Sequence, residues 1–223
     1  MRYVLILIFS LLLSPVSGQN ISIGLEGGAL RSSLKGGVPI EYHYKAEPAG
    51  GLFINLPINK NWRINSTLSY AIKGSNFSST LLADSTSRNS IFMTGYDRLS
   101  YLAFQPGIEY NFNSNMFVYT APYISVLTNI SKYRKYEVYR ENTFINEVID
   151  EKRDKHEDFN HVDFGIGAGL GFHYKQKVFL RLGIERGFIN VIQDIPYNYH
   201  LTYKASLGCS LFSFNLKNSA QSK

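Results

Sequence analysis

The feature that most constrains this chain is a two-residue alternation between large apolar side chains and small or polar ones. Its clearest instance is DFGIGAGLGFHY at residues 163–174, where apolar residues alternate with Asp163, four glycines and His173. Successive side chains of a β-strand point to opposite faces, so this segment is predicted to be a strand with one apolar face. Glycine weakens a strand. The glycines of the other face (Gly165, Gly167, Gly169 and Gly171) therefore indicate a place where space is scarce.

The alternation recurs along the chain and gives eight candidate strands, at residues 21–34, 46–58, 62–73, 98–110, 116–129, 161–174, 178–190 and 199–215. The connections after the second, fourth and sixth strands are short, whereas the others are longer and polar. Turns at one end and loops at the other are typical of an antiparallel up-and-down β-barrel. The longest connection, residues 130–160, holds seven Lys or Arg and eight Asp or Glu, so it is predicted to be a solvated loop.

The two ends of the chain are predicted to lie outside the barrel. Residues 1–18 combine basic Arg2, an apolar run too short to span a bilayer, Pro15 and small residues, which is the form of a signal peptide cleaved after Gly18. The barrel is expected at residues 19–216 and a polar tail at residues 217–223. Cys209 is the only cysteine, so no internal disulfide framework is possible.

Alternation alone fits two opposite barrels, since a lipocalin-type barrel turns its apolar side chains inward and an outer-membrane barrel turns them towards lipid. The interior of an eight-stranded barrel is narrow, so long polar side chains on some strands require glycines on others, while lipid sets no size limit outside. The glycine face is therefore predicted to line the lumen of a transmembrane barrel. The residues predicted to face lipid are Phe164, Ile166, Leu170, Phe172, Leu180, Leu182, Ile184, Leu201, Leu207 and Leu211.

Strand length and aromatic placement favour the membrane barrel. Strands of about ten residues cross a bilayer with tilt. Trp62, Tyr110, Tyr174 and Tyr199 fall near strand ends, where aromatic girdles meet the two interfaces. The fold class predicted is thus all-β, an eight-stranded antiparallel transmembrane β-barrel of the outer-membrane type.

The inward phase holds a charge network that sums to zero. Its members are Glu26, Arg63, Lys73, Glu109, Asp163, Arg181, Glu185 and Lys204. An ion pore is expected to favour one sign of charge, so a neutral network predicts a plugged lumen. Counting from the turns predicts that Glu185 pairs with Lys204 and that Arg63 pairs with Glu109 across neighbouring strands.

Two local features are at odds with a regular barrel. Pro106 and Pro122 lie within the fourth and fifth strands and opposite each other, and proline cannot donate to a ladder, so a bulge or a break in pairing is predicted there. Parity in the last strand places Phe212 and Phe214 inward, although terminal aromatics are expected on the lipid face.

No catalytic, cofactor or metal site is predicted. His161, His173 and His200 all fall in the inward phase and are interpreted as packed or rim residues. The segment KHEDFNHVD at residues 155–163 lacks a closed metal-ligand pattern, and GIGAGLG lacks the spacing of a dinucleotide fingerprint. The net charge is +6, but the basic residues do not cluster, so no nucleic-acid partner is expected.

Three short matches give the chain a resemblance to the PorT-like eight-stranded outer-membrane barrels of Gram-negative bacteria. They are YAIKG at 70–74 closing the third strand, Asp163 with its spaced glycines, and GFIN at 187–190 closing the seventh. The fourth strand departs from the family, because YLAFQP at 101–106 lacks the expected acid and moves the proline by one. The resemblance implies an outer-membrane location. A part in protein secretion belongs to the named family member and is not predicted for this chain.

The sequence therefore predicts a non-enzymatic outer-membrane barrel that acts through its extracellular loops, in binding or as a structural part of an envelope or secretion assembly. The alternatives are a narrow passive pore and a soluble ligand-binding barrel. The expected partners are outer-membrane lipid and lipopolysaccharide, with a protein partner possible at the loops.

Overall fold

The computed structural model describes residues 20–36, 41–83, 89–140, 143–152, 159–175, 177–193 and 197–215. The signal peptide, the tail at 217–223 and residues 155–158 of the KHEDFNHVD segment lie outside these ranges. Among the described residues, no α-helix has the length and apolarity needed to cross a membrane.

The chain forms one antiparallel sheet that closes into a ring of eight strands. Its order is β4-β3-β2-β1-β9-β8-β7-β5, and pairing of β4 with β5 closes it. A ninth strand, β6, pairs with β5 beyond the ring. The strands are β1 (Asn20–Lys35), β2 (Glu41–Pro57), β3 (Trp62–Ala83), β4 (Asn89–Asn111), β5 (Met116–Arg140), β6 (Thr143–Lys152), β7 (Val162–Tyr174), β8 (Val178–Gly187) and β9 (Tyr199–Asn215). The predicted eight-stranded barrel is confirmed.

The predicted strand ends are wrong mainly on the side of the long loops. Strand β3 continues to Ala83, β4 begins at Asn89 and β5 continues to Arg140. Most of the predicted loop at 130–160 is therefore a β-hairpin made by β5 and β6. The alternation fails to reveal it because polar and charged side chains occupy both faces of a sheet that water contacts on both sides. Three other strand ends also differ from the prediction. Strand β2 begins at Glu41 instead of residue 46, β7 begins at Val162 instead of residue 161, and β8 ends at Gly187 instead of residue 190.

Apolar side chains face outward and polar ones face the lumen. Leu170 is 60% exposed, whereas Asp163 on the same strand is 3% exposed. This is the reverse of a soluble lipocalin-type barrel, so that alternative is wrong. Each member of the predicted lipid-facing set is exposed or half-exposed on the outer surface: Phe164, Ile166, Leu170, Phe172, Leu180, Leu182, Ile184, Leu201, Leu207 and Leu211.

The glycines of β7 make room chiefly for aromatic rings of β5, rather than for the long polar side chains predicted. A Cβ built on Gly171 would lie 2.0 Å from the Phe117 ring, and one on Gly165 would lie 2.6 Å from that of Tyr123. Gly169 faces Tyr119 in the same way, at 2.8 Å. Gly167 is the position where polar groups matter, since its Cβ would lie 3.1 Å from atoms of Gln105 and Glu185.

The two irregularities have different outcomes. The β4–β5 ladder runs to Phe104↔Ile124 and resumes at Ile108↔Thr120, so the predicted break at Pro106 and Pro122 is confirmed. The inward placement of Phe212 and Phe214 is wrong. A bulge in β9 pairs Phe212 with Ile23 and Ser210 with Gly24, so Leu211 is the extra residue. The extra residue reverses the parity of the strand end, and Phe212 and Phe214 are 60% and 53% exposed.

Candidate functional site

Arg181 is the centre of a buried ion cluster in the periplasmic half of the lumen. Its Nη1 donates to Glu26 Oε2 at 2.9 Å, and its Nη2 donates to Glu109 Oε1. Glu26 also receives a hydrogen bond from Ser206 Oγ at 2.6 Å and lies 3.1 Å from Lys204 Nζ. The cluster ties strands on opposite walls of the barrel together.

The two predicted cross-strand pairs have different outcomes. Arg63 and Glu109 do lie directly opposite each other on β3 and β4, and Arg63 Nη1 is 3.1 Å from His173 Nε2. The predicted Glu185–Lys204 pair is wrong, because Lys204 is opposite Gly183 and contacts Glu26 instead.

Gln105 of β4 connects Lys204 and Glu185. Its Nε2 donates to Glu185 Oε1 at 3.2 Å, and its Oε1 accepts from Lys204 Nζ at 3.4 Å. Sequence reasoning missed Gln105 because it considered only formal charges. Gln105 could have been identified because it is a polar residue in the inward phase of β4, at the depth of Lys204 and Glu185 in the lumen.

A second buried pair lies nearer the extracellular end. Lys73 Nζ donates to Asp163 Oδ2 at 2.9 Å, and Tyr123 Oη donates to the same oxygen at 3.1 Å. Lys73 Nζ also lies 4.1 Å from the centre of the Tyr123 ring. Lys73 and Asp163 are both almost inaccessible to water, so each compensates the charge that the other carries into the interior.

Three phenylalanines pack across the periplasmic half of the lumen. Phe53, Phe117 and Phe179 are fully buried and form one cluster. The Arg181 guanidinium lies 4.2 Å from the Phe179 ring. Between the two ion groups remains a cavity of about 30 Å³, bordered by Glu26, Lys73, Gln105 and Glu185 among others. That volume holds about one or two water molecules.

The three histidines considered as catalytic candidates do not converge. His173 lies beside Arg63, and His200 is buried 3.3 Å from Tyr101 Oη. His161 precedes β7 and is exposed at the rim of the barrel. No three His, Cys, Asp or Glu side chains of the described ranges are grouped as metal ligands would be.

Sequence reasoning missed a further set of charges near the extracellular end. Glu47 contacts Lys45 at 3.3 Å and Arg98 at 2.7 Å, and Arg134 contacts Asp97 at 2.7 Å. Three of these residues, Lys45, Asp97 and Arg134, lie just beyond the predicted strand ends, because the strands are longer than predicted. Glu47 falls inside a predicted strand, and its carboxylate in an alternating segment was the signal that could have identified it.

The hairpin of β5 and β6 carries its own ion network and exposed apolar side chains. Lys135 Nζ contacts Glu137 at 2.8 Å and Glu147 at 3.0 Å. Hydrogen bonds from Lys135 and from Tyr139 lower the pKa of Glu137, and the same Lys135–Glu137 contact raises the pKa of Lys135. Phe144, Val148 and Ile149 of β6 are about half exposed.

The sequence profile of the family described as "Outer membrane protein beta-barrel domain" matches residues 17–193. This chain belongs to that family. The family and the eight-stranded ring place the protein in the outer membrane.

Solved structures similar to this outer-membrane barrel include the attachment invasion locus protein Ail of Yersinia pestis, with 13% identity and a TM-score of 0.40 over 87% of this chain and 99% of that one. Neisserial surface protein A (NspA) has 9% identity and a TM-score of 0.41 over 86% and 99%. The N-terminal β-barrel domain of OprF from Pseudomonas aeruginosa has 13% identity and a TM-score of 0.29 over 87% and 100%. No curated protein matches the chain.

The outer surface of this barrel has the features that the membrane requires. Trp62 and Tyr110 pack side by side at the periplasmic end, with ring centres 4.9 Å apart, and Tyr174 is exposed at the same end. Aromatic rings at this position meet the lipid headgroups. Outer-membrane lipid therefore contacts the apolar band between this girdle and the extracellular strand ends.

Proposed function

We propose that this protein is a closed outer-membrane barrel that works through the sheet its strands form outside the membrane, and that it is neither a pore nor an enzyme. The observation that carries the proposal is the contrast between its two parts. The lumen is filled by paired charges and phenylalanine rings, while β3, β4 and β5 have 22, 23 and 25 residues. About ten residues suffice to cross the bilayer.

The buried charges of the lumen neutralise one another. Arg181 lies between Glu26 and Glu109, and Lys73 is bound to Asp163. A conducting pore would need a continuous water path and a wall that favours one sign of charge. The predicted network of Glu26, Arg63, Lys73, Glu109, Asp163, Arg181, Glu185 and Lys204 instead holds four bases and four acids, with Phe53, Phe117 and Phe179 across the path.

Planar-bilayer recording tests the plug. The wild-type barrel should show only brief leaks, whereas a variant with Phe53, Phe117 and Phe179 all changed to Ala should conduct steadily and serve as the positive control. Steady wild-type conductance that survives shortening of the β5–β6 hairpin would favour the alternative function, a narrow passive pore.

Strand β6 supports a role in extracellular binding. In the described part of the chain its pairing is with β5 alone, so its other edge offers unpaired backbone groups. Exposed edges with apolar side chains are surfaces to which other proteins add. Phe144, Val148 and Ile149 supply such side chains, and we infer that a protein partner binds there.

A photoreactive residue in place of Val148 tests this on intact cells. The expected result is one discrete protein adduct at this position. The matched control replaces Phe112, which is 60% exposed in a periplasmic turn. Absence of an adduct at position 148, or the same adduct from position 112, would contradict binding at the hairpin.

Two finer assignments remain proposals. One is cleavage of the signal peptide after Gly18. The other is membership of the PorT-like subgroup, with a structural place in an envelope or secretion assembly. The YAIKG segment that supports it lies within β3 rather than at its end, since β3 continues to Ala83.

A further inference from the structure

A cluster of cations and tyrosines lies on the outer surface of the barrel near the extracellular ends of β1, β8 and β9. Arg31 Cζ lies 5.4 Å and Lys35 Nζ lies 4.8 Å from the centre of the Tyr44 ring, and Arg186 Cζ lies 4.7 Å from that of Tyr199. Within the described residues, none of the three cations forms an ion pair with a carboxylate. The cluster therefore carries uncompensated positive charge.

Other cations near the extracellular end are compensated, so this lack of compensation is local. Lys45 and Arg98, on β2 and β4, are also partly exposed near the extracellular end. Both contact Glu47, at 3.3 and 2.7 Å. A cation that is already paired in this way gains less from an anionic ligand than an unpaired one.

Cross-strand register places the cluster on one continuous patch. Arg31 is opposite Tyr203, and Tyr203 is opposite Ile184. Two residues further along β8, Arg186 is opposite Leu201. Strands lie about 4.8 Å apart and two residues span about 7 Å, so the two guanidinium groups can reach a ligand placed between them.

The height of the patch corresponds to the outer headgroup region. Arg31 is eleven residues from Asn20, the periplasmic start of β1. With about 3.4 Å per residue and a strand tilt of about 40–45°, this is roughly 27 Å above the periplasmic end, close to the height of the apolar band of such barrels. Arg31 therefore lies where outer-leaflet headgroups meet the acyl chains.

An apolar groove of about 540 Å³ lies directly below Arg31 and Tyr203 on the same outer surface. Short and long apolar side chains alternate around it: Ala29, Ala168, Ala205, Leu170, Leu182 and Ile184. The alanines leave a depression between the larger side chains. Its apolar lining and its position under the cations suit one hydrocarbon chain.

We propose that this patch is a specific site for a phosphorylated acyl lipid of the outer leaflet. Arg31, Lys35 and Arg186 bind the phosphate, and one acyl chain of the same molecule occupies the groove. Guanidinium groups bind phosphate through two parallel hydrogen bonds, and tyrosines at a membrane interface pack beside headgroups. The site lies on the lipid-facing wall, so the proposal does not depend on the hairpin or on closure of the lumen.

Native mass spectrometry of the folded barrel in a neutral detergent tests the headgroup half, with bisphosphorylated lipid A as the probe. Changing Arg31, Lys35 and Arg186 together to Gln should lower the affinity at least tenfold. The matched control changes Lys60, Lys175 and Lys177 to Gln, which removes the same charge at the periplasmic end and should change the affinity less than twofold. An equal loss of lipid A affinity in both triple variants would show that only net charge matters, and it would refute the proposed site.

A separate variant and two competing ligands test whether an acyl chain of the lipid occupies the groove. Ala168→Leu with Ala205→Leu should fill the groove and weaken lipid A binding about fivefold while every cation is kept. Dephosphorylated lipid A should bind wild type and the triple Gln variant equally. Complete displacement of lipid A by inorganic phosphate at equal concentration, or unchanged binding in the groove variant, would show a simple phosphate site and refute the lipid assignment. The heat-dependent shift of folded barrels in gel electrophoresis confirms that each variant is folded.

Discussion

Removing the Arg181 guanidinium should expose how strongly the lumen depends on charge pairing. In Arg181→Met, Glu26 keeps its contacts with Lys204 and Ser206. Glu109 loses its hydrogen-bonded cation. It is fully buried, its Oε2 accepts no hydrogen bond, and the ionisable groups that stay beside it are His173 at 3.9 Å and Arg63, opposite it on β3. Removing one partner of a buried ion pair costs about 3 to 5 kcal/mol, and we expect that loss in the free energy of unfolding.

The second variant separates charge from packing. Adding Glu109→Gln to Arg181→Met removes the stranded charge and leaves only an unsatisfied amide, which costs about 1 to 3 kcal/mol. The double variant should therefore be more stable than the single one.

Urea unfolding in lipid vesicles measures both variants. Trp62 is the only tryptophan and lies at the membrane interface, so its fluorescence reports insertion directly. Lys177→Met, at an exposed turn, is the control and should change stability by less than about 0.5 kcal/mol. A cost below about 1 kcal/mol for Arg181→Met, or a further loss on adding Glu109→Gln, would refute the reasoning.

The remaining predictions concern the lipid face, the glycine face and the hairpin. Leu170→Arg should cost about 2 to 4 kcal/mol in the same unfolding assay, and a spin label at 170 that water-soluble but not lipid-soluble quenchers reach would contradict its placement. Gly171→Ala should cost about 1 to 3 kcal/mol because its Cβ meets the Phe117 ring, and Phe117→Leu should restore much of the loss; no rescue would show that the clash is not the cause. Because the pKa of Glu137 is lowered below its ordinary 4.5 in the folded hairpin, its contribution is present above that pH and is lost as pH falls through the folded pKa. The protection factors of the β6 amides, measured against the intrinsic exchange rate at each pH, should therefore fall as the pH is lowered through the folded pKa. Glu137→Gln should remove that part of the pH dependence; an unchanged dependence in this variant would point to other groups.

The transmembrane half of the fold was predictable because lipid and lumen impose opposite demands on neighbouring residues. That contrast produces the alternation around Leu170 and Gly171, and it also reveals the paired prolines at 106 and 122. The hairpin was not predictable in this way, since water on both sides of β6 imposes no contrast. The bulge at Leu211 was not predictable for a different reason. One extra residue hardly changes the composition of a strand and alters only which face the following side chains take.

The ion cluster was predictable in membership but not in pairing. Parity alone identified Glu26, Arg181 and Lys204 as inward residues. Which of them meet depends on the reach of long side chains across the lumen, and counting along neighbouring strands does not contain that information. Arg181 bonds to Glu26 and Glu109 on distant strands, whereas the count considered only adjacent ones.

Strand β5 is one uninterrupted backbone from the periplasmic turn at Met116 to the hairpin tip at Arg140. A pull applied at the tip by a bound partner runs along the strand axis, parallel to its ladders with β4 and β7. Hydrogen bonds across an antiparallel pair lie perpendicular to that direction, so the load is shared by many bonds in shear instead of opening them one after another. The extracellular sheet is thus mechanically anchored by the same strand that fills the lumen with Phe117, Tyr119 and Tyr123.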